Sequence, residues 1–286
     1  YFPNAVFADP KFIMPVLEKT LEEWLDGKRI PVSALLHELS RYGGTAGEVA
    51  DGAETFRAMV EDPKCAVFLT LSGAMTIAKM GLVVCDMIDL GMVNYIASTG
   101  ALMTHGLVET IGLKHYKYNP KYDDALLAEE KINRVTDTLE PEENFTQVAD
   151  VLDEVLNSID GYEPLSPTAL HLLIGNHLRE RYPEYRGILK SAAEKNVPVF
   201  VPAFLDSEIG NDLFVHNKNR EREGRPRIII DLELDSEKLI KIATESERLG
   251  IFTIGGGVPR NNTQNVAPLI EIMNDRLGLN LPEKKF

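Results

Sequence analysis

The chain has 286 residues, of which 44% are hydrophobic and 26% charged, a composition typical of a folded globular protein and too apolar for a disordered one. It carries 30 lysines and arginines against 44 aspartates and glutamates, so its formal net charge at pH 7 is −14. Nucleic-acid-binding surfaces and polybasic membrane surfaces are positively charged. We therefore expect neither a nucleic acid nor a membrane among the partners of this protein.

Targeting and redox features point to the cytoplasm. The first residues lack the basic and apolar regions of a signal peptide, and no run of about 18 apolar residues predicts a transmembrane helix. The two cysteines, Cys65 and Cys85, lie in apolar stretches and are predicted to be small core residues. Unpaired core cysteines fit a reducing cytosol, so we expect a cytoplasmic protein.

Helical patterns occupy the N-terminal part of the sequence. We expect helices over residues 12–25, 32–42 and 45–62, with the second ended by Gly43 and Gly44. We interpret residues 1–62 as an N-terminal helical region and residues 63–286 as one compact α/β domain.

The pattern changes at residue 65. The run CAVFLTL at 65–71 is short and continuously apolar, which is typical of a strand buried on both faces. A turn, a helix over 75–91, a second strand over 93–98 and a helix over 104–111 follow. This strand–helix–strand–helix order predicts a parallel sheet flanked by helices, with a Rossmann-like arrangement.

The second half of the domain continues the alternation. Residues 113–144 predict an irregular excursion, which precedes a series of helices and strands. The predicted helices cover residues 145–158, a stretch after Pro167, 185–196, 236–249 and 262–277, and the predicted strands cover 197–202, 227–232 and 251–254.

Small or acidic residues follow four of the predicted strands. Parallel sheets bind ligands at the carboxyl ends of their strands, and glycines there allow a ligand to approach the backbone. The sequence contains no GxGxxG fingerprint and no P-loop, and any one of these segments read alone is also consistent with a simple turn. Together they predict a dinucleotide site built from Ser72, Gly73 and Ala74, from Thr99, Gly100 and Ala101, from the loop at Asp206, and from Gly255, Gly256 and Gly257.

Four further side chains are candidates for the site, and two of them have a second, purely structural reading. Asp206 could bind a ribose hydroxyl or a substrate amine, or could cap the next turn. His105 could act in catalysis, or could be a polar residue at the start of a helix. Asn261 could cap the last helix, whereas Asn265 would lie one turn further on, toward the same crevice.

Four ordered stretches resemble the deoxyhypusine synthase family, including its bacterial and archaeal deoxyhypusine synthase-like members. They are LTLSGAMTIAKMG at 69–81, NYIASTGALMTHGLVETIG at 94–112, NVPVFVPAFLDSEIGND at 196–212 and FTIGGGVPRNNTQNV at 252–266. The resemblance implies a homotetramer of tight dimers with NAD as cofactor. It also implies a transferase that oxidises spermidine and passes the aminobutyl group to an amine.

The resemblance assigns roles by position. It implies that the three glycine-containing turns contact NAD and that Asp206 is the acid that binds the NAD ribose. It also implies that Asn265 contacts the polyamine. Three positions depart from the family pattern. An acid near the second turn is replaced by Thr104 and His105, and a histidine that assists proton transfer is replaced by Asn261. An acid that pairs with the polyamine is replaced by Asn211.

The family's nucleophilic lysine lies in a GxSWGK segment that does not occur in the printed sequence, and Lys284 and Lys285 stand in a different context. We expect that a C-terminal stretch carrying that segment is missing from the sequence. Three functions remain open: aminobutyl transfer to a free amine, modification of a lysine in a translation factor precursor, and a catalytically silent family member.

Overall fold

The structure is a computed structural model that describes residues 31–284. The chain divides into two compact units between Ala58 and Met59. The described part of the first unit contains helix α1 (Val32–Leu39) and most of α2 (Thr45–Glu61). The predicted helix over 12–25 lies outside the described residues, and the predicted division after residue 62 stays a prediction.

The second unit contains the parallel sheet. Its four strands are β1 (Cys65–Leu71), β2 (Tyr95–Ser98), β6 (Val199–Phe200) and β7 (Arg248–Ile254), in the order β6-β2-β1-β7 and all parallel. The apolar run of β1 is buried from Val67 to Leu71, as expected for a central strand with both faces covered. The fold is therefore α/β, as the sequence predicts.

Helices cover this sheet. They are α3 (Gly81–Asp89), α4 (Gly100–Thr110), α6 (Glu142–Asn157), α7 (Pro167–Arg181), α8 (Ile188–Lys195), α9 (Glu208–Arg222), α10 (Glu233–Glu245), α11 (Gly257–Gln264) and α12 (Val266–Leu277). On one face, Leu239 and Ala243 of α10 and Ile270 of α12 pack against Phe68 and Phe200 of the sheet. Burial of these side chains removes apolar surface from water and fixes both helices.

Residues 113–144 are more regular than the sequence predicts. They form a three-stranded antiparallel sheet of β3 (Tyr116–Lys117), β4 (Ile132–Val135) and β5 (Thr138–Pro141), in the order β3-β5-β4, with the short helix α5 (Asp124–Glu129). Strands of two to four residues are too short to show an alternating pattern, which is why the prediction of an irregular excursion was wrong.

Three other expectations need correction. The predicted strand over 227–232 is absent, because Ile229 and Leu232 face solvent and only Ile230 forms an isolated bridge, to Leu165. The predicted helix over 75–91 begins at Gly81, after Lys79 adopts a left-handed φ of 68°. The predicted helix over 262–277 is two helices, since α11 ends and α12 begins at Asn265.

The described part of the chain contains no helix that is both long and apolar enough to cross a bilayer. Of the two cysteines, Cys85 is buried as predicted, and burial raises the pKa of its thiol to about 11. Cys65 is only partly buried.

Candidate functional site

The register of the parallel sheet aligns the ends of three strands. Leu71 of β1 pairs with Ser98 of β2 on one side and with Ile254 of β7 on the other. The residues that follow these strand ends must therefore lie side by side at the carboxyl edge of the sheet. This is the edge at which ligands bind in open parallel sheets.

A cavity of about 240 Å³ lies at this edge. Residues from all four predicted turns and loops line it, so the structure brings together segments that are far apart in the sequence. The lining residues are Ser72, Ser98, Thr99, Gly100, Ala203, Asp206, Gly256, Gly257, Val258 and Pro259.

Hydrogen bonds connect the turns to one another. The backbone N–H of Gly256 donates to Oγ of Ser72 at 2.8 Å, and Oγ1 of Thr99 donates to the carbonyl of Gly73 at 2.6 Å. The first turn is thus bonded to both of its neighbours, which gives the cavity wall a defined shape.

Two glycines are required by close contacts. Gly255 has a φ of 98°, and a Cβ there would lie 1.8 Å from Oγ of Ser72. A Cβ on Gly100 would lie 2.4 Å from Cβ of Ser207, so α4 reaches the loop before α9 only because residue 100 has no side chain.

Two helix N-termini adjoin the cavity without a side-chain cap. Thr99 precedes α4 and Gly256 precedes α11, and neither makes a capping hydrogen bond through its side chain. By contrast, Oγ of Ser207 caps α9 by accepting from the N–H of Gly210 at 3.2 Å. Uncapped N–H groups and the positive end of a helix dipole favour a phosphate group.

Asp206 is exposed and lies where two depressions meet. It lines both the cavity and an open, mainly apolar groove of about 930 Å³, which Leu205, Phe214 and Ile229 also line. A ligand that is too large for the cavity could extend past this carboxylate into the groove.

An acidic cluster is formed by Glu208 and Asp212 of α9 together with Asp153 of α6. Burial raises the pKa of Asp212 to about 6, and the negative charges of Asp153 and Glu208 contribute to the same shift. Oε2 of Glu208 is buried and has no hydrogen-bond partner among the described residues. Glu208 and Asp212 are spaced four residues apart, a helical spacing that could have identified this cluster in the sequence.

Several predicted site residues do not line the cavity. Gly255 adjoins the side chain of Ser72 and is not part of the cavity wall. Asn211 is exposed on α9, Asn261 is exposed on α11, and Asn265 is exposed just after α11. The lining residues do not include Gly73, Ala74, Ala101, Asn211, Gly255, Asn261, Asn265 or His105.

His105 belongs instead to a buried cluster with His115 and Glu140. Burial by itself would raise the pKa of Glu140, but the two adjacent imidazoles outweigh it and lower that pKa to about 2. Burial likewise would lower the pKa of His115, and the carboxylates of Glu109 and Glu140 raise it. Sequence reasoning missed His115 and Glu140, because neither has ligand spacing to His105.

The fold and the cavity define an α/β protein with a crevice at the carboxyl edge of its sheet. The sequence profile described as deoxyhypusine synthase matches residues 34–280. This chain therefore belongs to the deoxyhypusine synthase family, as its sequence motifs predict.

Individual relatives agree with this assignment. The chain is 33% identical over 245 residues to the deoxyhypusine synthase-like protein of Chlorobaculum parvum, covering 85% of this chain and 68% of the relative. It is 34% identical over 247 residues to the probable deoxyhypusine synthase of Methanosarcina thermophila, covering 85% of this chain and 74% of the relative. The crystal structure of a putative deoxyhypusine synthase from Entamoeba histolytica has a similar fold, with a TM-score of 0.61, 17% identity and coverage of 80% and 77%.

Proposed function

We propose that this chain is an NAD-dependent transferase that moves an aminobutyl group from spermidine, or a related polyamine, to an amine acceptor. The observation that carries this proposal is the convergence of the strand-end turns on one cavity, where the Asp206 carboxylate adjoins two uncapped helix N-termini.

The donor set of the cavity suits a dinucleotide. The helix N-termini at Gly100 and Gly257 would hold the phosphates, and the nearby glycines leave room for close approach of the ligand. Asp206 would accept hydrogen bonds from ribose hydroxyls. When bound, NAD would supply the acceptor for a hydride taken from the polyamine.

The acidic cluster suits a polyamine. Ammonium groups that lose water need anionic partners, and Glu208 and Asp212 of α9 provide carboxylates close to that of Asp153. The Asp153 carboxylate also contacts Nδ1 of His216, at 2.8 Å. Burial is the main cause of the raised pKa of Asp212, and a bound cation would relieve the repulsion from Asp153 and Glu208 that adds to it. Carboxylates at these positions offset the replacement of a family acid by Asn211.

The apolar groove supports an oligomer. Leu205 is 72% exposed and Phe214 is 54% exposed, and both line the groove beside Asp206. Exposed apolar patches of this kind mark association surfaces. We propose that a second copy of the chain covers this groove within a homotetramer.

A protein acceptor is the second candidate. A lysine of a translation factor precursor would be the acceptor if this chain acts as the name of its Methanosarcina thermophila relative indicates. The test is mass spectrometry of the products with a free diamine and with the precursor protein supplied in parallel, each with spermidine and NAD. Modification of the precursor alone would establish the second candidate, and absence of turnover with both would favour a catalytically silent member.

Nucleotide binding is tested separately from turnover. Isothermal titration should show NAD binding to the wild-type protein and at least about tenfold weaker binding to Asp206→Asn, which removes a charged hydrogen-bond acceptor. Asp150→Asn neutralises an exposed carboxylate on α6 and should bind as wild type. Equal affinity in all three proteins would contradict the proposed role of Asp206.

A further inference from the structure

Three buried side chains converge from separate segments of the fold. His105 lies on α4, His115 lies just before β3, and Glu140 lies on β5. Their side chains are 7%, 0% and 0% exposed, and one potential metal-ligand atom from each lies within 4.8 Å of the others. Neither the cavity nor the apolar groove includes any of them.

The contacts within this cluster are close but are not aligned as hydrogen bonds. Nδ1 of His105 is 2.7 Å from Oε2 of Glu140, and Nε2 of His115 is 3.3 Å from Oε1. These four atoms are buried, and none of them has a hydrogen-bond partner among the described residues. Native proteins leave few buried polar atoms unpaired, so four of them facing one another call for a common partner.

A second carboxylate orients His115 from outside the cluster. Nδ1 of His115 lies 3.3 Å from Oε1 of Glu109, whose carboxylate also pairs with Lys79. In the neutral tautomer whose Nδ1–H donates to Glu109, Nε2 carries no proton and presents a lone pair that a metal ion between it and Glu140 would accept. This carboxylate–histidine arrangement is the one that orients histidine ligands around metal ions.

We propose that His105, His115 and Glu140 form a binding site for a divalent transition-metal ion, with Zn²⁺ the best match. Two imidazole nitrogens and a carboxylate are typical zinc ligands, and the two oxygens of Glu140 bring the donor atoms to four. The burial of all three side chains makes the site a closed, structural one rather than an open catalytic one.

The metal would connect two separate parts of the fold. His105 belongs to the helix that starts at the cavity, and Glu140 belongs to the central strand of the small antiparallel sheet. The bound ion would fix that sheet against α4. Its effect on stability is independent of NAD or polyamine binding.

Metal content is the first measurement. The full chain, purified without a metal-binding tag and dialysed, should contain about one Zn²⁺ per chain by inductively coupled plasma mass spectrometry. His115→Gln and Glu140→Gln should retain less than about a tenth of that amount. His177→Gln is the matched control, because His177 also contacts a carboxylate, Glu154, at 3.4 Å but lies outside the cluster.

A second measurement uses the wild-type protein, so that the proposal can be tested even if the cluster variants fail to fold. Wild-type protein stripped with a chelator is titrated with Co²⁺, which should give the visible absorption bands of a low-coordinate site, and with Zn²⁺, which should raise Tm. Glu109→Gln should weaken Zn²⁺ affinity by about 10-fold to 100-fold while keeping the same Co²⁺ bands. Folded, stripped protein that takes up neither ion, or undiminished uptake by Glu140→Gln, would overturn the proposal.

Discussion

Ser72 and Gly256 stand 184 positions apart in the sequence, yet the N–H of Gly256 donates to Oγ of Ser72 at 2.8 Å. This hydrogen bond joins the turn after the first strand of the sheet to the helix after the last one. The preceding residue, Gly255, is also close to this hydroxyl, because a Cβ there would lie 1.8 Å from Oγ of Ser72. The shape of the proposed nucleotide cavity therefore depends on a side chain that approaches a glycine.

Gly255→Ala should destabilise the protein and weaken NAD binding. The new Cβ would lie 1.8 Å from Oγ of Ser72 at a φ of 98°, so the hydroxyl must move and the backbone is strained. Steric overlap and left-handed strain together cost about 2–4 kcal/mol of unfolding free energy. Urea denaturation measures this loss.

Gly52→Ala is the matched control for that substitution. Gly52 lies within α2, and a Cβ there meets no atom within 4 Å. Alanine favours helix over glycine by about 1 kcal/mol, so this variant should be slightly more stable than wild type. A Gly255→Ala protein as stable as wild type would contradict the contact with Ser72.

Asp212→Asn should stabilise the protein at pH 7.5. The raised pKa of about 6 means that ionised Asp212 opposes folding above that pH, and the penalty disappears below the unfolded-state pKa near 3.8. With allowance for solvent screening of this half-buried group, the gain is about 1 kcal/mol. Urea denaturation at pH 7.5 and at pH 3.5 should show the gain only at the higher pH.

The same variant should bind spermidine more weakly, because one of three carboxylates is lost. Asp150→Asn should change neither the unfolding free energy nor the spermidine affinity, since Asp150 lies on the exposed side of α6. If Asp212→Asn were stabilised with unchanged spermidine affinity, the acidic cluster would not be the polyamine site.

His171 should make stability depend on pH. Complete burial lowers its pKa to about 4, although its Nδ1 lies 3.1 Å from the carbonyl of Val199. Its neutral form is favoured in the folded state, so stability is present above pH 6.5 and is lost as pH falls toward 4, by up to about 3 kcal/mol.

His171→Gln keeps an N–H donor but does not titrate. The difference in unfolding free energy between wild type and this variant should therefore shift by about 3 kcal/mol between pH 7 and pH 4. His177→Gln should follow the wild-type profile. A constant difference across this range would show that His171 is not buried as the structure places it.

Phe214→Glu should disrupt the proposed oligomer. A carboxylate in the apolar groove would have to lose water when a second copy covers it, which is strongly unfavourable. Size-exclusion chromatography with light scattering should show wild type as a tetramer and the variant as a smaller species. Leu277→Glu, at an exposed apolar position outside the groove, should leave the assembly unchanged.

Continuous patterns predicted the central elements well. The apolar run at 65–71 matches β1 residue for residue, because a strand buried on both faces needs no alternation. The glycines at 255–257 and the small residues at 72 and 99 were expected at one edge of a parallel sheet, and the register places them there.

Local sequence patterns predicted the wrong secondary structure where contacts between distant residues determine whether a strand forms. Residues 227–232 have the composition of a strand, but their pairing is limited to an isolated bridge between Ile230 and Leu165. Ile229 and Leu232 are exposed at the groove. The strands of the antiparallel sheet form because β3 and β4 pair with β5. With two to four residues each, they are too short to show an alternating hydrophobic pattern in the sequence.

The sequence by itself determined the family, the α/β class and the set of turns that meet at the sheet edge, since each follows from local composition and motif order. Tertiary structure alone decided that His105 faces Glu140 rather than the cavity, and that Asp153 of α6 lies close enough to Asp212 of α9 to affect its pKa. Helix rotation and strand pairing set those directions. Both depend on packing between residues that are far apart in the chain, which no local pattern records.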